Sequence, residues 1–271
     1  MSAFRNNKQK RSYGIICFSN EQHNQKVLMV KKAVTYNFVQ FVNGMYKHGN
    51  DSALSKLFCG MTFNEKIDIL NGNFNTLWRR IYPGENTNNL NYQRKSSIFD
   101  NEMTYMGSEY IKKLMSKSTA IDTLWEIPKG RSHFDEKPFE TALREFNEET
   151  QNQIRDIEIL WHKKPYVESY RDYGITYINT YYYAVCKDAE TKTINIDFRK
   201  GEIGEIVSAR WFSIDQLLRT DSLIFTTEYI KTLLRNAKKN VKTQTKNKFS
   251  SITTDCNLSL VMCHNKENKL N

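Results

Sequence analysis

The chain has 271 residues, of which 39% are hydrophobic and 13% aromatic, and it carries a net charge of +10 at pH 7. This length and composition predict a globular protein with one large or two small domains, and they exclude a disordered chain. We expect no membrane span, because no run of about 18 apolar residues exists, and no secretory signal, because the start MSAFRNNKQKR has no apolar region. The five cysteines form no CxxC pair, which disfavours disulfides and zinc and indicates a reducing, cytoplasmic compartment.

The positive charge is concentrated at the two ends of the chain. Residues 1–11 contain four Lys or Arg and no acidic residue, and residues 237–271 contain seven Lys and two acidic residues. We interpret them as a basic N-terminal arm and a basic C-terminal tail. Because an acidic stretch at residues 130–150 lies between them, the pattern suggests a bound cation together with a polyanionic ligand. Solubilising tails are the alternative.

The first predicted elements are a hairpin and a series of helices. The segments SYGIICF (12–18) and KVLMVKK (26–32) read as two strands joined by a polar turn. Beyond this hairpin the apolar spacing becomes helical. Thr62 and Glu65 stand in capping-box register at the start of one helix, and NFNTLWRRIY (73–82) places apolar residues on one face of another.

The next segments alternate between loop, helix and strand. Residues 83–97 are interpreted as a turn-rich linker. Residues 102–117 have the spacing of a further helix, which ends in basic residues. TLWEIPKG (123–130) then returns to a strand and a loop.

A crowded acidic helix is predicted from Pro138, whose missing N–H costs nothing at the first helical position. Its apolar residues form one buried stripe and are Phe139, Ala142, Leu143 and Phe146. Glu145, Glu148 and Glu149 fall on a neighbouring stripe, so their carboxylates converge. Such a cluster is unfavourable unless protons or a cation neutralise it, and hard oxygen ligands suit Mg²⁺ or Mn²⁺. On helix geometry alone, a solvated acidic face is the alternative.

The remaining elements complete an α+β pattern. IEILWHKKPYVESY and ITYINTYYYAVCK predict strands on either side of a turn at RDYG, and VSARWFSI (207–214) predicts a further strand. Residues 215–236 have helical spacing. The simplest arrangement is an α+β domain formed by residues 12–33 and 119–236, interrupted by an all-helical insertion at residues 34–118.

The spacing around the acidic helix resembles the Nudix box, Gx5Ex7REUxEExGU. Gly130 is followed after five residues by Glu136, and after seven more by Arg144-Glu145-Phe146-x-Glu148-Glu149. Six such fixed positions match by chance in about one in 10⁵ chains of this length. Two positions depart from the pattern, because Gln151 replaces a glycine and Asn152 replaces an aliphatic residue. That glycine normally ends the helix in a left-handed turn, so we expect the helix end to differ from the family there.

The resemblance implies a Nudix fold, which is a mixed β-sheet between helices in an α/β/α sandwich. It further implies an enzyme that binds Mg²⁺ or Mn²⁺ and hydrolyses a diphosphate linkage. On the matching positions, Glu145, Glu148 and Glu149 would be metal ligands, with the Gly130 carbonyl as a further ligand.

The resemblance also assigns supporting and catalytic roles. Glu136 and Arg144 would support the ligands electrostatically. The base that activates water would be Glu149 or a glutamate on a downstream loop. For that loop Glu205 is preferred, because it shortly precedes a strand that contains Trp, and Glu202 is the alternative.

A narrower resemblance concerns the substrate. The lead-in LWEIPKGR is similar to that of eukaryotic mRNA-decapping Nudix enzymes, in which Lys129 would meet the cap phosphates. Pro-Lys-Gly also occurs in hydrolases of diphosphoinositol and diadenosine polyphosphates. The segments YNFVQFVNGMY, LFCGMTFNEKIDIL and NFNTLWRRIY resemble the insertion of the decapping Nudix enzymes of African swine fever virus and giant viruses, with the elements of residues 12–236 in the same order.

This second resemblance implies a viral enzyme of the host cytoplasm that acts on capped mRNA. It would release 7-methyl-GDP and leave a 5′-monophosphate on the RNA. Diphosphoinositol polyphosphates are further candidate substrates.

The insertion carries basic residues in pairs or groups, as contacts to RNA phosphates would be. They are Arg79, Arg80, Arg94, Lys95, Lys112, Lys113 and Lys117. Tyr82 and Tyr92 are candidates for stacking on unpaired bases, and Trp125 is assigned to the core. For each residue alone, surface charge or core packing is the alternative.

Three functions are therefore compatible with the sequence. We prefer mRNA decapping. Hydrolysis of a small polyphosphate is the second hypothesis. RNA binding by a Nudix fold without catalysis is the third, and the intact Arg144, Glu145, Glu148 and Glu149 argue against it.

Overall fold

The computed structural model describes residues 8–20, 26–117, 119–120, 122–172, 175–187, 194 and 205–219. The strands within these ranges are β1 (Gln9–Ser19), β2 (Lys26–Lys32), β3 (Trp125–Glu126), β4 (Lys129–Gly130), β5 (Ile157–Ile159), β6 (Tyr166–Asp172), β7 (Ile175–Cys186) and β8 (Ile206–Ser213). The helices are α1 (Tyr36–Val42), α2 (Asp51–Cys59), α3 (Phe63–Asn71), α4 (Phe74–Ile81), α5 (Leu90–Met115), α6 (Pro138–Glu149) and α7 (Ile214–Leu218). None of these helices is long and apolar enough to cross a membrane.

β1 is the central strand of a mixed sheet. It runs parallel to β7 along its whole length, from the pair Gln9–Thr176 to the pair Ser19–Cys186. It also pairs antiparallel with β2 and β4. β2 continues the sheet through β3 and β8, and β7 continues it through β5 and β6, all antiparallel. The predicted hairpin is thus confirmed, although β1 begins at Gln9, so the last residues of the predicted basic arm belong to the sheet.

α6 covers one face of this sheet. Alternate residues of the strands point toward it because side chains of a strand alternate between the two faces. The buried cluster beneath α6 includes Ile15, Cys17, Leu28, Val30, Ala142, Phe146 and Ala184. Ala142 and Phe146 are fully buried, and burial of a side chain such as Phe146 contributes about 2–3 kcal/mol. Phe139 lies at the edge, where it packs edge-on against Trp161 and Tyr182.

α6 begins at Pro138 as predicted and ends in a left-handed turn without glycine. The backbone N–H of Gln151 donates to the carbonyl of Glu148 at 3.0 Å, and the N–H of Asn152 donates to the carbonyl of Asn147 at 2.8 Å. Gln151 and Asn152 have φ angles of 51° and 56°. These bonds define a Schellman motif. The expected difference from the family at this helix end is therefore confined to the residue type, because the left-handed turn itself is kept. The backbone bonds hold a non-glycine residue in the conformation that glycine adopts more easily.

Helices α1 to α5 form the insertion between β2 and β3. They pack around an apolar cluster that contains Phe38, Phe58 and Trp78. The predicted capping box of Thr62 and Glu65 is present. The fully buried Glu65 carboxylate also accepts hydrogen bonds from the backbone N–H and the hydroxyl of Thr35, at 2.5 and 2.9 Å. One glutamate therefore ties the N-terminus of α3 to that of α1.

Two helical predictions need correction or extension. Residues 90–97, predicted as part of a linker, are the first turns of α5, because the Asn89 side chain caps them by accepting from the Tyr92 N–H at 2.7 Å. The same helix continues to Met115 with a kink at Gly107, where φ is 61° and ψ is 169°. Of the predicted helix at residues 215–236, α7 lies in the described ranges and the residues from 220 onward lie outside them, as does the tail at residues 237–271.

Candidate active site

Gly130, the first residue of the motif, is in direct contact with the carboxylate of Glu145. β4 holds Gly130 opposite Tyr13 of β1, and α6 places the Glu145 carboxylate against it. A Cβ atom at position 130 would lie 2.0 Å from the carboxyl carbon of Glu145 and 2.1 and 2.2 Å from its oxygens. Only a residue without a side chain leaves this space to the carboxylate. The close approach of Glu145 therefore explains the glycine that opens the motif.

Arg144 organises the outer part of the site. Its Nε and Nη2 donate to the two oxygens of Glu136 at 2.8 and 3.0 Å, in the bidentate geometry that arginine favours. Its Nη1 donates to Glu145 Oε1 and to Glu148 Oε2, both at 2.9 Å. The hydrogen bond from Arg144 lowers the pKa of Glu136 to about 2. Arg144 thus holds several carboxylates in place and is more than a single surface ion pair.

Lys32, at the end of β2, is the cation of the inner part of the site. Its Nζ lies 3.1 Å from Glu149 Oε1 and 2.7 Å from Glu205 Oε1. It also lies 2.8 Å from Glu126 Oε1. The three carboxylates come from α6, from the residue before β8 and from β3, so one ammonium group joins three separate segments. The attraction of these carboxylates outweighs the burial of Lys32 and raises the pKa of its ammonium.

Glu126 links this inner cluster to Lys129 and to the insertion. Its buried Oε2 forms an ion pair with Lys129 Nζ and accepts a hydrogen bond from the Tyr36 hydroxyl of α1 at 2.9 Å. Burial opposes the charge of Glu126, but the ammonium groups of Lys129 and Lys32 lower its pKa to about 2. The predicted phosphate contact Lys129 is therefore anchored by a carboxylate, beside the first helix of the insertion.

The glutamates of α6 remain crowded despite their cationic partners Arg144 and Lys32. Burial, followed by the nearby carboxylates of Glu126 and Glu205, raises the pKa of Glu149 to about 7, against the attraction of Lys32. Glu149 Oε2 also accepts from the backbone N–H of Lys129 at 3.1 Å. Burial likewise raises the pKa of Glu145, and Glu148 and Glu205 add to this effect. A cation that entered between these groups would relieve the repulsion.

The donor set fits a hard divalent cation by its chemistry. Carboxylate oxygens and a backbone carbonyl are the ligands that Mg²⁺ and Mn²⁺ prefer, and the motif supplies both. Within the described ranges, no three Asp, Glu, His or Cys side chains already stand in metal-ligand geometry. The carboxylates instead contact Arg144 and Lys32, so binding of a cation would require these side chains to exchange partners. Of the two candidates for the downstream glutamate, Glu205 lies at Lys32 and Glu202 lies outside the described residues.

The predicted RNA-binding residues divide into two groups. Arg79, Arg94 and Lys113 are exposed, and Lys112 is exposed beside Glu109, 2.9 Å away. In contrast, Arg80 forms an ion pair with Asp68 and lies over the Phe38 ring. Lys95 donates to Asn43 and lies 5.0 Å from the centre of the Trp78 ring. Lys117 is half-buried, and its carbonyl accepts a hydrogen bond from Lys66.

The predicted aromatic contacts lie largely in the core. Tyr92 packs against Phe74 and Trp78, and the Tyr82 ring lies 4.5 Å from the Trp78 ring. Both tyrosines are half-buried, so the insertion core uses most of their ring surface. Trp125 is buried as expected.

The sequence-based prediction missed Lys32 and Glu126. Lys32 ends the apolar run KVLMVKK, and Glu126 lies between apolar residues in LWEIP. A charge flanked by apolar residues in a short strand is the signal that points to burial with a partner. That signal does not name the partner, because β2 and β3 are far apart in the sequence.

Similarity to known proteins shows the family to which the chain belongs. The family model for the NUDIX domain matches residues 112–233. The mRNA-decapping protein g5R of African swine fever virus (isolate Pig/Kenya/KEN-50/1950) is 30% identical over 212 residues, which cover 76% of this chain and 86% of that protein. A protein of Acanthamoeba polyphaga mimivirus is 27% identical over 219 residues, covering 70% of this chain and 59% of that protein. A crystal structure of a C. elegans Ap4A hydrolase binary complex gives a TM-score of 0.41 at 11% identity, over 87% of this chain and 98% of that chain.

The chain therefore belongs to the Nudix family, and its α+β architecture is the Nudix fold. Within that family it is a pyrophosphohydrolase that is similar to the viral mRNA-decapping proteins.

Proposed function

We propose that this chain is a metal-dependent mRNA-decapping hydrolase. It cleaves the diphosphate linkage of the cap, releases 7-methyl-GDP and leaves RNA with a 5′-monophosphate. The observation that carries the proposal is the extent of the similarity to the mRNA-decapping protein of African swine fever virus, which covers 76% of the chain and is too long to be confined to the Nudix domain. In line with this similarity, we place the activity in the host cytoplasm.

The motif residues supply the cation site of the proposed enzyme. Glu145, Glu148 and Glu149, with the Gly130 carbonyl, would hold Mg²⁺ or Mn²⁺. A cation held there would supply positive charge to the diphosphate and would acidify a water molecule. Arg144 keeps Glu145 and Glu148 aligned through its two 2.9 Å hydrogen bonds.

The remaining residues bind the substrate and accept the proton. Lys129 contacts the cap phosphates, and its ion pair with Glu126 keeps the ammonium group charged. Glu149 or Glu205 accepts the proton of the attacking water, since both carboxylates lie at Lys32. General-base catalysis of this kind contributes about 10²- to 10⁴-fold to the rate.

The insertion is the proposed RNA-binding domain. The exposed Arg79, Arg94, Lys112 and Lys113 are available to phosphates, as is the basic end of β1. Contacts of this kind place the RNA without reading its sequence.

The proposal is tested with cap-labelled RNA in the presence of Mg²⁺ or Mn²⁺. Wild-type protein should release labelled 7-methyl-GDP, and Glu149→Gln should reduce the rate at least 100-fold. Glu140→Gln is the matched control, because Glu140 is an exposed glutamate of the same helix. The proposal is overturned if no labelled product appears, or if Glu149→Gln and wild type behave alike.

The second hypothesis is examined in the same experiment. Diphosphoinositol and dinucleoside polyphosphates are incubated in parallel, and excess uncapped RNA is added to each reaction. A decapping enzyme with an RNA surface is inhibited by uncapped RNA when it acts on capped RNA. Hydrolysis of the small polyphosphates alone would favour the second hypothesis.

A further inference from the structure

Two tyrosines form a stacked pair on the sheet face opposite α6. Tyr170 of β6 lies directly across from Tyr177 of β7. Their ring centroids are 5.1 Å apart and the ring planes differ by 9°. Tyr170 is 49% exposed, so one side of this pair is available to a flat ligand. Lys10 of β1, the register partner of Tyr177, has its Nζ 5.6 Å from the centre of the Tyr177 ring.

The strand register places this pair on the same face as Lys129. Gly14 of β1 is the partner of Tyr181 and also of Lys129. Lys10 and Gly14 are four residues apart, so they project from the same face of β1 at a separation of about 13 Å. Tyr170 and Lys129 therefore lie on the same face of the sheet, with β7 and β1 between their strands.

The electrostatics place Tyr170 close to the active-site charges. Burial raises the pKa of Tyr170, and the charges of both Lys129 and Glu126 act on its hydroxyl. Of the other exposed aromatic residues, Tyr36 of α1 donates its hydroxyl to Glu126, and Phe134 lies in the loop before α6. Trp161 rests against Phe139 of α6, and Tyr105 lies on α5 of the insertion.

We propose that Tyr170, supported by Tyr177, is the platform on which the purine base of the nucleoside diphosphate portion of the substrate stacks. This inference rests on the proposed function and adds a base-binding subsite to it. Lys129 holds the diphosphate, and the ribose spans the sheet face between the two. The platform is suited to this task because both rings stand on paired strands, and parallel stacking fixes their plane before the ligand arrives. Stacking of a base on an aromatic side chain contributes about 1–3 kcal/mol, with no need for hydrogen bonds to the base.

The test compares two ligands that differ only in having a nucleoside. GDP and inorganic pyrophosphate are titrated into the full chain by calorimetry in the presence of Mg²⁺. Tyr170→Ala should weaken GDP binding about tenfold and leave pyrophosphate binding unchanged. Tyr170→Phe, which keeps the ring, should bind GDP as wild type does. Tyr105→Ala is the control for loss of an exposed tyrosine at a distance.

A double variant tests whether the Tyr177 ring binds the base when the Tyr170 ring is removed. Removal of Tyr170 uncovers the Tyr177 ring, so Tyr170→Ala/Tyr177→Ala should weaken GDP binding at least as much as the single change. The proposal is overturned if GDP affinity is unchanged in the double variant. It is also overturned if GDP and pyrophosphate lose affinity equally, or if wild type binds GDP no more tightly than pyrophosphate.

The binding experiment does not depend on the decapping reaction, because GDP corresponds to the nucleoside diphosphate that decapping releases and the measured quantity is its affinity. If capped RNA is not hydrolysed while Tyr170→Ala loses GDP affinity selectively, decapping is wrong and the base platform is supported. If capped RNA is hydrolysed while the tyrosine variants bind GDP normally, decapping stands and the platform is wrong.

Discussion

Glu205 is held by the side chain of Lys32 and by the backbone of Ala33. The Nζ of Lys32 lies 2.7 Å from Glu205 Oε1, and the N–H of Ala33 donates to the carbonyl of Glu205 at 2.8 Å. The Glu205 side chain is 71% exposed, so these contacts, and not burial, keep it beside Glu149. Lys32 thus acts as a positioning residue for the two candidate bases.

Replacement of Lys32 should remove the contribution of Glu205 to the rate of hydrolysis. We expect Lys32→Met to lower kcat at least tenfold, and Glu205→Gln to have little further effect in that background, because residues that act as one unit are not additive. The measurement is a double-mutant cycle on initial hydrolysis rates. Lys31→Met is the matched control, because Lys31 pairs with Asp122 at 2.5 Å and lies on the other face of β2. Multiplicative effects of the two changes would contradict the positioning role.

The same variant should be less stable. Without Lys32, the buried carboxylates of Glu149 and Glu126 lose a positively charged partner. Loss of one partner from a buried ion pair lowers the free energy of unfolding by about 3–5 kcal/mol. Lys32→Arg keeps the charge and should recover much of the stability. Thermal unfolding of the three proteins measures this directly.

Gly130→Ala should impair activity without unfolding the protein. The added Cβ would lie 2.0 Å from the carboxyl carbon of Glu145, which is the far end of a flexible side chain. The fold can therefore adjust by moving Glu145, but that carboxylate then leaves the cation site. We expect weaker Mn²⁺ binding by calorimetry, at least tenfold slower hydrolysis, and an unfolding temperature within a few degrees of wild type. Unchanged Mn²⁺ affinity would show that Glu145 is not a ligand.

The motif residues were predictable because a single helix and its preceding loop contain them. The spacing of Gly130, Glu136 and Arg144 is fixed by local geometry, and the structure brings Gly130 and Glu136 to Glu145 and Arg144 respectively. Lys32 and Glu126 were not predictable in the same way. Their meeting depends on the pairing of β2 with β3, in which Val30 lies opposite Glu126, and residue type alone does not give that register.

For the basic residues of the insertion, too, the sequence did not predict which side chains are exposed and which are paired. Arg79 and Arg80 are neighbours in the sequence, yet one is exposed and the other pairs with Asp68. Helical spacing gives the two residues different directions, but only the packing of α3 against α4 provides the acidic partner. Asn89 illustrates the same point for a helix start, because an asparagine in an Asn-rich segment reads equally well as a turn or a cap.

Gln151→Gly should stabilise the protein. Gln151 has a φ of 51°, a conformation that costs a residue with a side chain about 1–2 kcal/mol. Glycine removes this cost but loses more backbone entropy on folding, so we expect a net gain of about 1 kcal/mol in the free energy of unfolding. Asn152→Gly is a useful comparison, since asparagine tolerates the left-handed region better and should gain less. Urea denaturation measures both, and a loss of stability in Gln151→Gly would contradict the assignment of strain.

Arg79 and Arg80 offer a matched pair for the RNA surface. Arg79→Ala, alone or with Arg94→Ala, removes exposed charge and should weaken binding of capped RNA while leaving the unfolding temperature unchanged. Each lost phosphate contact should also reduce the salt dependence, by about 0.7 in the slope of log K against log salt for single-stranded RNA. Arg80→Ala instead leaves Asp68 without its guanidinium partner and uncovers the Phe38 ring.

We therefore expect Arg80→Ala to lower the unfolding temperature and to leave the salt slope as in wild type. Filter binding or fluorescence anisotropy at several salt concentrations, beside thermal unfolding, separates the two effects. If Arg79→Ala/Arg94→Ala binds capped RNA with wild-type affinity and slope, this face of the insertion is a solvated surface and the RNA passes elsewhere. If Arg80→Ala changes the slope while the protein stays fully stable, the ion pair with Asp68 opens to RNA, and Arg80 belongs to the binding surface after all.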